Sequence, residues 1–341
     1  MYKNVHANNE ESFDLIISPN QDFKILQLTD LHLGFGPLSK NSDKQVLDAV
    51  DALIRKSSPD LLVLTGDIIY PFLPKSGTLN NIKQMKKLMK FLDGYKTPYT
   101  MVFGNHDLEI GSKGSREDLA ELLKTGVYCI FSEGRDDIYG IGNFIINLRK
   151  PNDELVSSLV LMDSNMYGKG WFFSGFDCIH KDQIDWCMTS LVKLKNEKED
   201  LKALTFFHMP LLEYKIAYEK MKLGDKSVVY NFGSIGETND YFGVSKNKCE
   251  LFDRAVETGI IKGMFCGHDH LNTISLTYKD IMLVYGMSLD FLAYKGIKKC
   301  YTQRGGTVIT ISPTGEFDVT PLPLGTVVSN FVRGISNGFK N

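Results

Sequence analysis

The 341-residue chain carries almost no net charge, no apolar run of membrane-spanning length, no C-x-x-C pair and few histidines. Each shortage excludes something. With 39 basic against 41 acidic residues and a net charge of −2, the sequence lacks the electrostatic footprint that draws a protein to nucleic acid or to an anionic membrane. Neither is expected as a partner. Residues 1–20 hold no apolar core of the secretory type, and no later stretch reaches transmembrane length. The six cysteines, Cys129, Cys178, Cys187, Cys249, Cys266 and Cys300, lack paired spacing and have mostly apolar neighbours, so they read as reduced thiols and the expected location is the cytoplasm. No internal repeat or low-complexity tract appears. An apolar content of 43% with 23% charged residues is that of a soluble globular chain with ample core.

Histidine is scarce, and its placement is informative. Of seven histidines, five fall in short blocks that each follow an apolar run: Asp30-Leu31-His32, Gly66-Asp67, Gly104-Asn105-His106-Asp107, His208 and Gly267-His268-Asp269-His270. One such block alone reads as a turn or a helix cap. Five in order, supplying carboxylates, one amide oxygen and imidazoles, form the ligand set of a site for two divalent metals. Strand ends are where an α/β sheet presents such groups to one crevice. The remaining two, His6 in a polar N-terminal stretch read as frayed and His180 before a helix, are not site candidates.

Residue chemistry suggests roles. Asp30 and His32 are two apart, so at the end of an extended segment both can turn into one crevice and hold a first metal. Asp67 has two carboxylate oxygens and is the natural bridge, fixing two ions about 3.5 to 4 Å apart. Asn105, through its amide oxygen, with His208 and His268 would complete the second ion. Two carboxylates against two divalent ions leave a surplus of about two positive charges, reduced to about one by a bridging hydroxide, which draws in an anionic phosphoester. The hydroxide is then the expected nucleophile. His106, beside Asp107, is the expected general acid, its imidazole oriented and its pKa raised by the adjacent carboxylate.

The D-x-H, GD, GNHD, H and GHxH blocks resemble the calcineurin-like metallophosphoesterase superfamily between Phe23 and His270. Phe23-Lys24-Ile25-Leu26-Gln27, Phe207-His208-Met209-Pro210-Leu211 and the stretch Gly263 to Asn272 resemble, within it, the branch of yeast Dcr2-type phosphatases and plant purple-acid-phosphatase-like proteins. The resemblance implies two mixed β-sheets packed as a sandwich flanked by helices, with a dinuclear metal site at the strand ends. It also assigns His270 to the first metal, makes His106 the general acid and makes Asp107 its orienting partner. Tyr70 in Gly66-Asp67-Ile68-Ile69-Tyr70 resembles the tyrosine that ligates ferric iron in true purple acid phosphatases, but His32 already fills that position, so Tyr70 is read as a packing residue. The ions are expected to be manganese, zinc or iron.

The implied activity is a metal-dependent phosphomonoesterase acting on a phosphoprotein or a small phosphorylated metabolite. Two alternatives stay open: a phosphodiesterase acting on a cyclic nucleotide or other diester, and a non-catalytic scaffold of the same fold. Retention of every ligand position disfavours the scaffold. The oligomeric state is left open.

Apolar periodicity places strands at Phe23 to Thr29, Leu61 to Thr65 and Tyr99 to Phe103, with helices at Asp43 to Lys56 and Ile82 to Leu92. The basic run within Lys83 to Lys90 is read as one face of an amphipathic helix. A second sheet is expected from Ile138 to Asn147, Ser157 to Asp163, Lys202 to Phe207, Ile261 to Cys266, Ile281 to Tyr285 and Gly306 to Ile311, with a helix at Gln183 to Leu194. One domain is expected over residues 20–325, with an N-terminal extension at 1–19 and a C-terminal tail at 326–341. Leu223 to Lys248, rich in glycine, reads as an irregular loop, either a flap over the substrate pocket or a solvated connection. Arg304 is read as a surface residue and left outside the site.

Overall fold

Central strands buried at nearly every position, such as Leu61–Thr65 and Leu155–Leu161, mark sheets covered on both faces. The computed structural model describes residues 4–167, 175–294, 297 and 303–327. Its first elements are β1 (Val5–Asn9), β2 (Ser12–Ile16), β3 (Phe23–Leu28), α1 (Lys40–Ser57), β4 (Leu61–Thr65), α2 (Leu73–Ser76), α3 (Asn81–Asp93), β5 (Tyr99–Val102) and α4 (Arg116–Lys124). Then follow β6 (Phe144–Arg149), β7 (Leu155–Leu161), α5 (Lys181–Lys195), β8 (Ala203–Phe206), α6 (Leu212–Lys222) and β9 (Val228–Phe232). The described residues end with α7 (Leu251–Thr258), β10 (Ile261–Cys266), β11 (Ser275–Tyr278), β12 (Ile281–Tyr285), β13 (Gly305–Ile311), β14 (Phe317–Pro323) and α8 (Leu324–Val327).

The strands form a nine-stranded sheet, in the order β1-β2-β6-β7-β8-β10-β12-β11-β9, and a five-stranded sheet, in the order β14-β13-β3-β4-β5. Period-2 alternation assigns the two faces of the larger sheet. Leu159, Leu161, Leu204, Phe206 and Phe265 join Ile25, Leu62 and Tyr99 of the smaller sheet in one core. Val160, Ala203, Met264 and Cys266 point the other way, into a second core with Ile184, Leu191, Tyr214 and Phe252 from α5, α6 and α7. The two sheets are therefore packed through a shared core, with helices outside. In α3, Met85, Leu88, Met89 and Leu92 are buried while Lys83, Lys86, Lys87 and Lys90 are exposed, so the basic run is the solvated face of an amphipathic helix. Among the described residues no helix is long and apolar enough to cross a membrane.

Four expectations are corrected. Gly306 to Ile311 does not continue the larger sheet: β13 pairs antiparallel with β3, Ile309 opposite Ile25, and covers the edge that the parallel β3-β4-β5 set leaves open. The N-terminal stretch is not frayed, because β1 and β2 form a hairpin whose second strand pairs parallel with β6. Ile138 to Asn143 precedes its strand, which runs Phe144–Arg149. Leu223 to Lys248 contains β9, an edge strand antiparallel to β11. Of the expected tail, only residues 326 and 327 lie within the described residues, at the end of α8.

Candidate metal centre

β3, β4 and β5 run parallel in one sheet, and β8 and β10 run parallel in the other, so all five blocks emerge from carboxyl ends of strands. The chain does not stay extended there, as the spacing of Asp30 and His32 suggests. Asp30, His32, Asp67 and His268 have φ of 52°, 46°, 53° and 75°, a left-handed conformation that non-glycine residues hold only where their surroundings enforce it. Backbone bonds between loops supply the enforcement: Asp30 N donates to the Gly66 carbonyl at 3.1 Å and His32 N to the Asp67 carbonyl at 2.9 Å. Close approach does the rest. A Cβ on Gly104 would meet Asp67 Oδ1 at 2.2 Å and Asp67 N at 2.3 Å, and one on Gly267 would meet Thr29 Oγ1 at 1.9 Å. Glycine is the residue these two contacts admit.

The loops bring seven expected ligands together. Asp30, His32 and His270 present donor atoms within 4.8 Å of one another, and Asp67, His208 and His268 form a second such group. Asp67 Oδ2 lies 3.5 Å from His32 Nε2 and 3.2 Å from His208 Nε2, which puts this carboxylate between the groups. Asn105 Oδ1 is 3.2 Å from His208 Nε2, on the second side. His106 also has a nitrogen within 4.8 Å of donors on His32 and Asp67, so proximity alone does not separate it from the ligands.

Imidazole orientation is set from behind. His208 Nδ1 lies 2.8 Å from the Thr65 carbonyl, which makes it the protonated nitrogen and leaves Nε2 to face the cluster. His270 Nδ1 lies 3.2 Å from Asp290 Oδ2, the carboxylate-histidine arrangement of metal sites. Sequence reading missed Asp290. It is fully buried, and its carboxylate accepts backbone N–H bonds from Leu292, Ala293 and Tyr294 at 2.6 to 2.7 Å. Both ring nitrogens of His32 and Oδ2 of Asp67 are buried without a hydrogen-bond partner. Unsatisfied polar atoms are costly in a native core, and a divalent cation satisfies these. The residues fit a dinuclear metal site.

Electrostatics agree. Burial pushes the His32 pKa down, but the Asp67 carboxylate and the charges of Asp290 and Asp30 outweigh it and raise the value to about 10. His208 is likewise raised to about 9, burial being overcome by Asp67. Burial and the neighbouring His208 hold His268 well below its ordinary range. The buried carboxylates thus favour positive charge in this pocket.

Asp107 does not touch His106 as its sequence position suggests. Its buried carboxylate accepts from the backbone N–H of Gly104 at 2.7 Å, Asp67 at 3.1 Å, Ile68 at 2.8 Å and Ile69 at 2.9 Å, and so ties the second block to the third. Burial and the nearby Asp67 charge raise its pKa to about 6, against the pull of these N–H donors. His106 Nδ1 instead lies 2.5 Å from Glu109 Oε1. Adjacent residues on a turn point apart, and the residue three further on returns beneath the ring.

Around the cluster lies a cavity of about 270 Å³, lined among others by Tyr70, His106, Phe176, Glu237, Tyr241 and Tyr294. Tyr70 packs edge-on against His32 and His106 at 5.2 and 5.4 Å between ring centroids, and burial raises its hydroxyl pKa. Arg304 is not a surface residue: it is 1% exposed, its Nε donates to the Asp290 carbonyl at 2.9 Å and it stacks over Phe291. The glycine-rich segment reaches the cavity through Glu237 and Tyr241, and Gly243 N donates to Asp269 beside His268.

The calcineurin-like phosphoesterase family model matches residues 23–272. The chain belongs to the calcineurin-like phosphoesterase family. It is 27% identical over 308 residues to the Arabidopsis thaliana protein named probable inactive purple acid phosphatase 29, covering 82% of this phosphoesterase and 75% of that protein. It is 29% identical over 285 residues to phosphatase DCR2 of Saccharomyces cerevisiae, covering 77% of this chain but 47% of the yeast protein. The fold of a dimetal phosphatase from Danio rerio is similar, with a TM-score of 0.57 at 12% identity over 89% of this chain and 97% of that one. This phosphoesterase is thus a hydrolase whose residues fit a dinuclear divalent metal site.

Proposed function

We propose that this phosphoesterase is a cytoplasmic phosphomonoesterase acting on a phosphoprotein or a small phosphorylated metabolite. The observation that carries the reading is the pair of donor groups with the Asp67 carboxylate between them, 3.5 Å from His32 and 3.2 Å from His208, and His106 beside them at a cavity. Asp30, His32, His270 and Asp67 would hold one ion, and Asp67, Asn105, His208 and His268 the other; manganese, zinc and iron all suit this set. When bound, the ions would activate water near neutral pH and take up charge on the phosphoryl oxygens. His106 would donate a proton to the leaving oxygen. Asp107 would act indirectly, holding the Asp67 loop through its backbone. The five described cysteines are free thiols, which supports a reducing compartment.

A specific observation favours a second reading. Tyr70, Phe176, Tyr241 and Tyr294 line the cavity beside its histidines and carboxylates. Aromatic walls of this kind suit the second ester arm of a phosphodiester. The test is hydrolysis of p-nitrophenyl phosphate against bis-p-nitrophenyl phosphate by metal-stripped protein reconstituted with manganese, zinc or iron. Faster monoester turnover supports the phosphatase; faster diester turnover replaces it with the phosphodiesterase.

A further inference from the structure

We propose that Glu109 is the positioning residue of the proton donor: it fixes the His106 ring so that Nε2 delivers a proton to the leaving oxygen. The proposal rests on the reading of His106 as general acid. Its basis is the 2.5 Å contact between His106 Nδ1 and Glu109 Oε1, together with the engagement of Asp107 by four backbone N–H groups. Asp107 faces away from this task, and Glu109 performs it.

The turn that carries Glu109 is built to hold it. Glu109 N donates to Ser112 Oγ at 3.0 Å and Ser112 N returns a bond to the Glu109 carbonyl at 3.0 Å. Gly111, at φ +84°, makes the reversal possible. Beyond it, Asn81 clamps both backbone groups of Gly114 at 2.8 Å, and Lys113 N donates to the Leu79 carbonyl at 2.9 Å. The carboxylate therefore approaches the imidazole from a short, doubly closed loop, with side-chain exposures of 20% for Glu109 and 33% for His106. On the other side, the His106 ring lies against Tyr70 and His32. With Nδ1 committed to Glu109, Nε2 is the nitrogen free to serve the cavity.

The proton balance is simple. Hydrolysis consumes one water: one of its protons passes to solvent, and its oxygen, keeping the other, bonds to phosphorus as the bond from phosphorus to the leaving oxygen breaks. The leaving oxygen takes the Nε2 proton, which leaves a neutral imidazole still protonated at Nδ1 against Glu109. A proton from solvent restores Nε2. A carboxylate at Nδ1 selects that tautomer and keeps Nε2 turned to the leaving oxygen.

A group that positions a general acid matters in proportion to how badly the leaving group needs a proton. We would measure kcat and KM for the metal-loaded wild type, Glu109→Gln and His106→Ala on p-nitrophenyl phosphate, whose phenolate leaves unaided, and on benzyl phosphate, whose alkoxide does not. The expected result for Glu109→Gln is a fall in kcat of about 10²-fold on benzyl phosphate and within about threefold on p-nitrophenyl phosphate, because acid catalysis supplies roughly 10²- to 10⁴-fold where it is needed. KM and metal content should match wild type. His106→Ala should show the same discrimination, at least as large. Equal losses on both substrates for Glu109→Gln, or none, with discrimination retained in His106→Ala, overturn the role of Glu109 and leave His106 as the acid. Absence of discrimination in His106→Ala overturns the acid assignment and the positioning role with it.

Discussion

Asp290 Oδ2 sits 3.2 Å from Nδ1 of His270, at the far side of the ring from Asp30, whose Oδ1 lies 3.7 Å from Nε2. One imidazole thus stands between a candidate ligand and a buried carboxylate supported by three backbone N–H groups. Such partners fix the tautomer and basicity of a metal-binding histidine, and their loss typically costs about 10- to 100-fold in metal affinity or activity. Asp290→Asn is expected to weaken metal-dependent activity by that order. Activity against free manganese concentration measures it, and an unchanged half-saturation point counts against the arrangement.

Asp67 and His106 separate metal binding from chemistry. Asp67→Ala removes the carboxylate between the two donor groups, and elemental analysis should find metal lost along with turnover. His106→Ala should retain two ions per chain while alkyl phosphate turnover falls by about 10²- to 10⁴-fold. Two ions retained in Asp67→Ala would count against the bridge. Metal loss in His106→Ala would make His106 a ligand, as its proximity to His32 and Asp67 also allows.

Gly104→Ala tests the close approach. Its Cβ would collide with the backbone and carboxylate of Asp67 at 2.3 and 2.2 Å, so Asp67 must move. The expected outcome is a folded protein with depleted metal, read by circular dichroism and elemental analysis. Full metal content would show that the third block has slack.

The metal-free protein should lose stability as pH rises through the alkaline range. His32 and His208 have folded pKa values of about 10 and 9, above the ordinary 6.5. The folded state therefore binds more protons than the unfolded state between these limits. Their contribution is fully present below about pH 6.5 and is lost as pH climbs through 9 and 10. Thermal unfolding of chelated protein from pH 7 to 10 should show a falling midpoint, and saturating manganese should flatten that fall. A midpoint that rises over this range in chelated protein contradicts the assignment.

Much of the fold was legible because its signals are local. Apolar runs at Leu61–Thr65, Ile261–Cys266 and Ile281–Tyr285 are strands with those limits, and each metal block follows a strand directly. What escaped depends on distant partners. β13 carries the same apolar alternation whichever sheet it joins, and its pairing with β3 is a tertiary choice. β1, with four of its five residues exposed, has no apolar pattern to announce it. Asp107 was misread because neighbours in sequence were taken as neighbours in space. Asp290 and Arg304 lie past the last block, in no recognisable motif, and only the fold brings Asp290 to His270. Glu109 was within reach: an acid three residues beyond His106 on a short turn is a signal that sequence reading could have weighed.

Whether this phosphoesterase acts through a dinuclear centre is decided by a stoichiometric titration. Chelator-stripped protein would be titrated with manganese while bound metal and p-nitrophenyl phosphate hydrolysis are followed together, with bis-p-nitrophenyl phosphate in parallel. Two ions per chain should bind, with activity appearing as the second site fills. Hydrolysis by fully stripped protein, or saturation at a single ion with full activity, would contradict it.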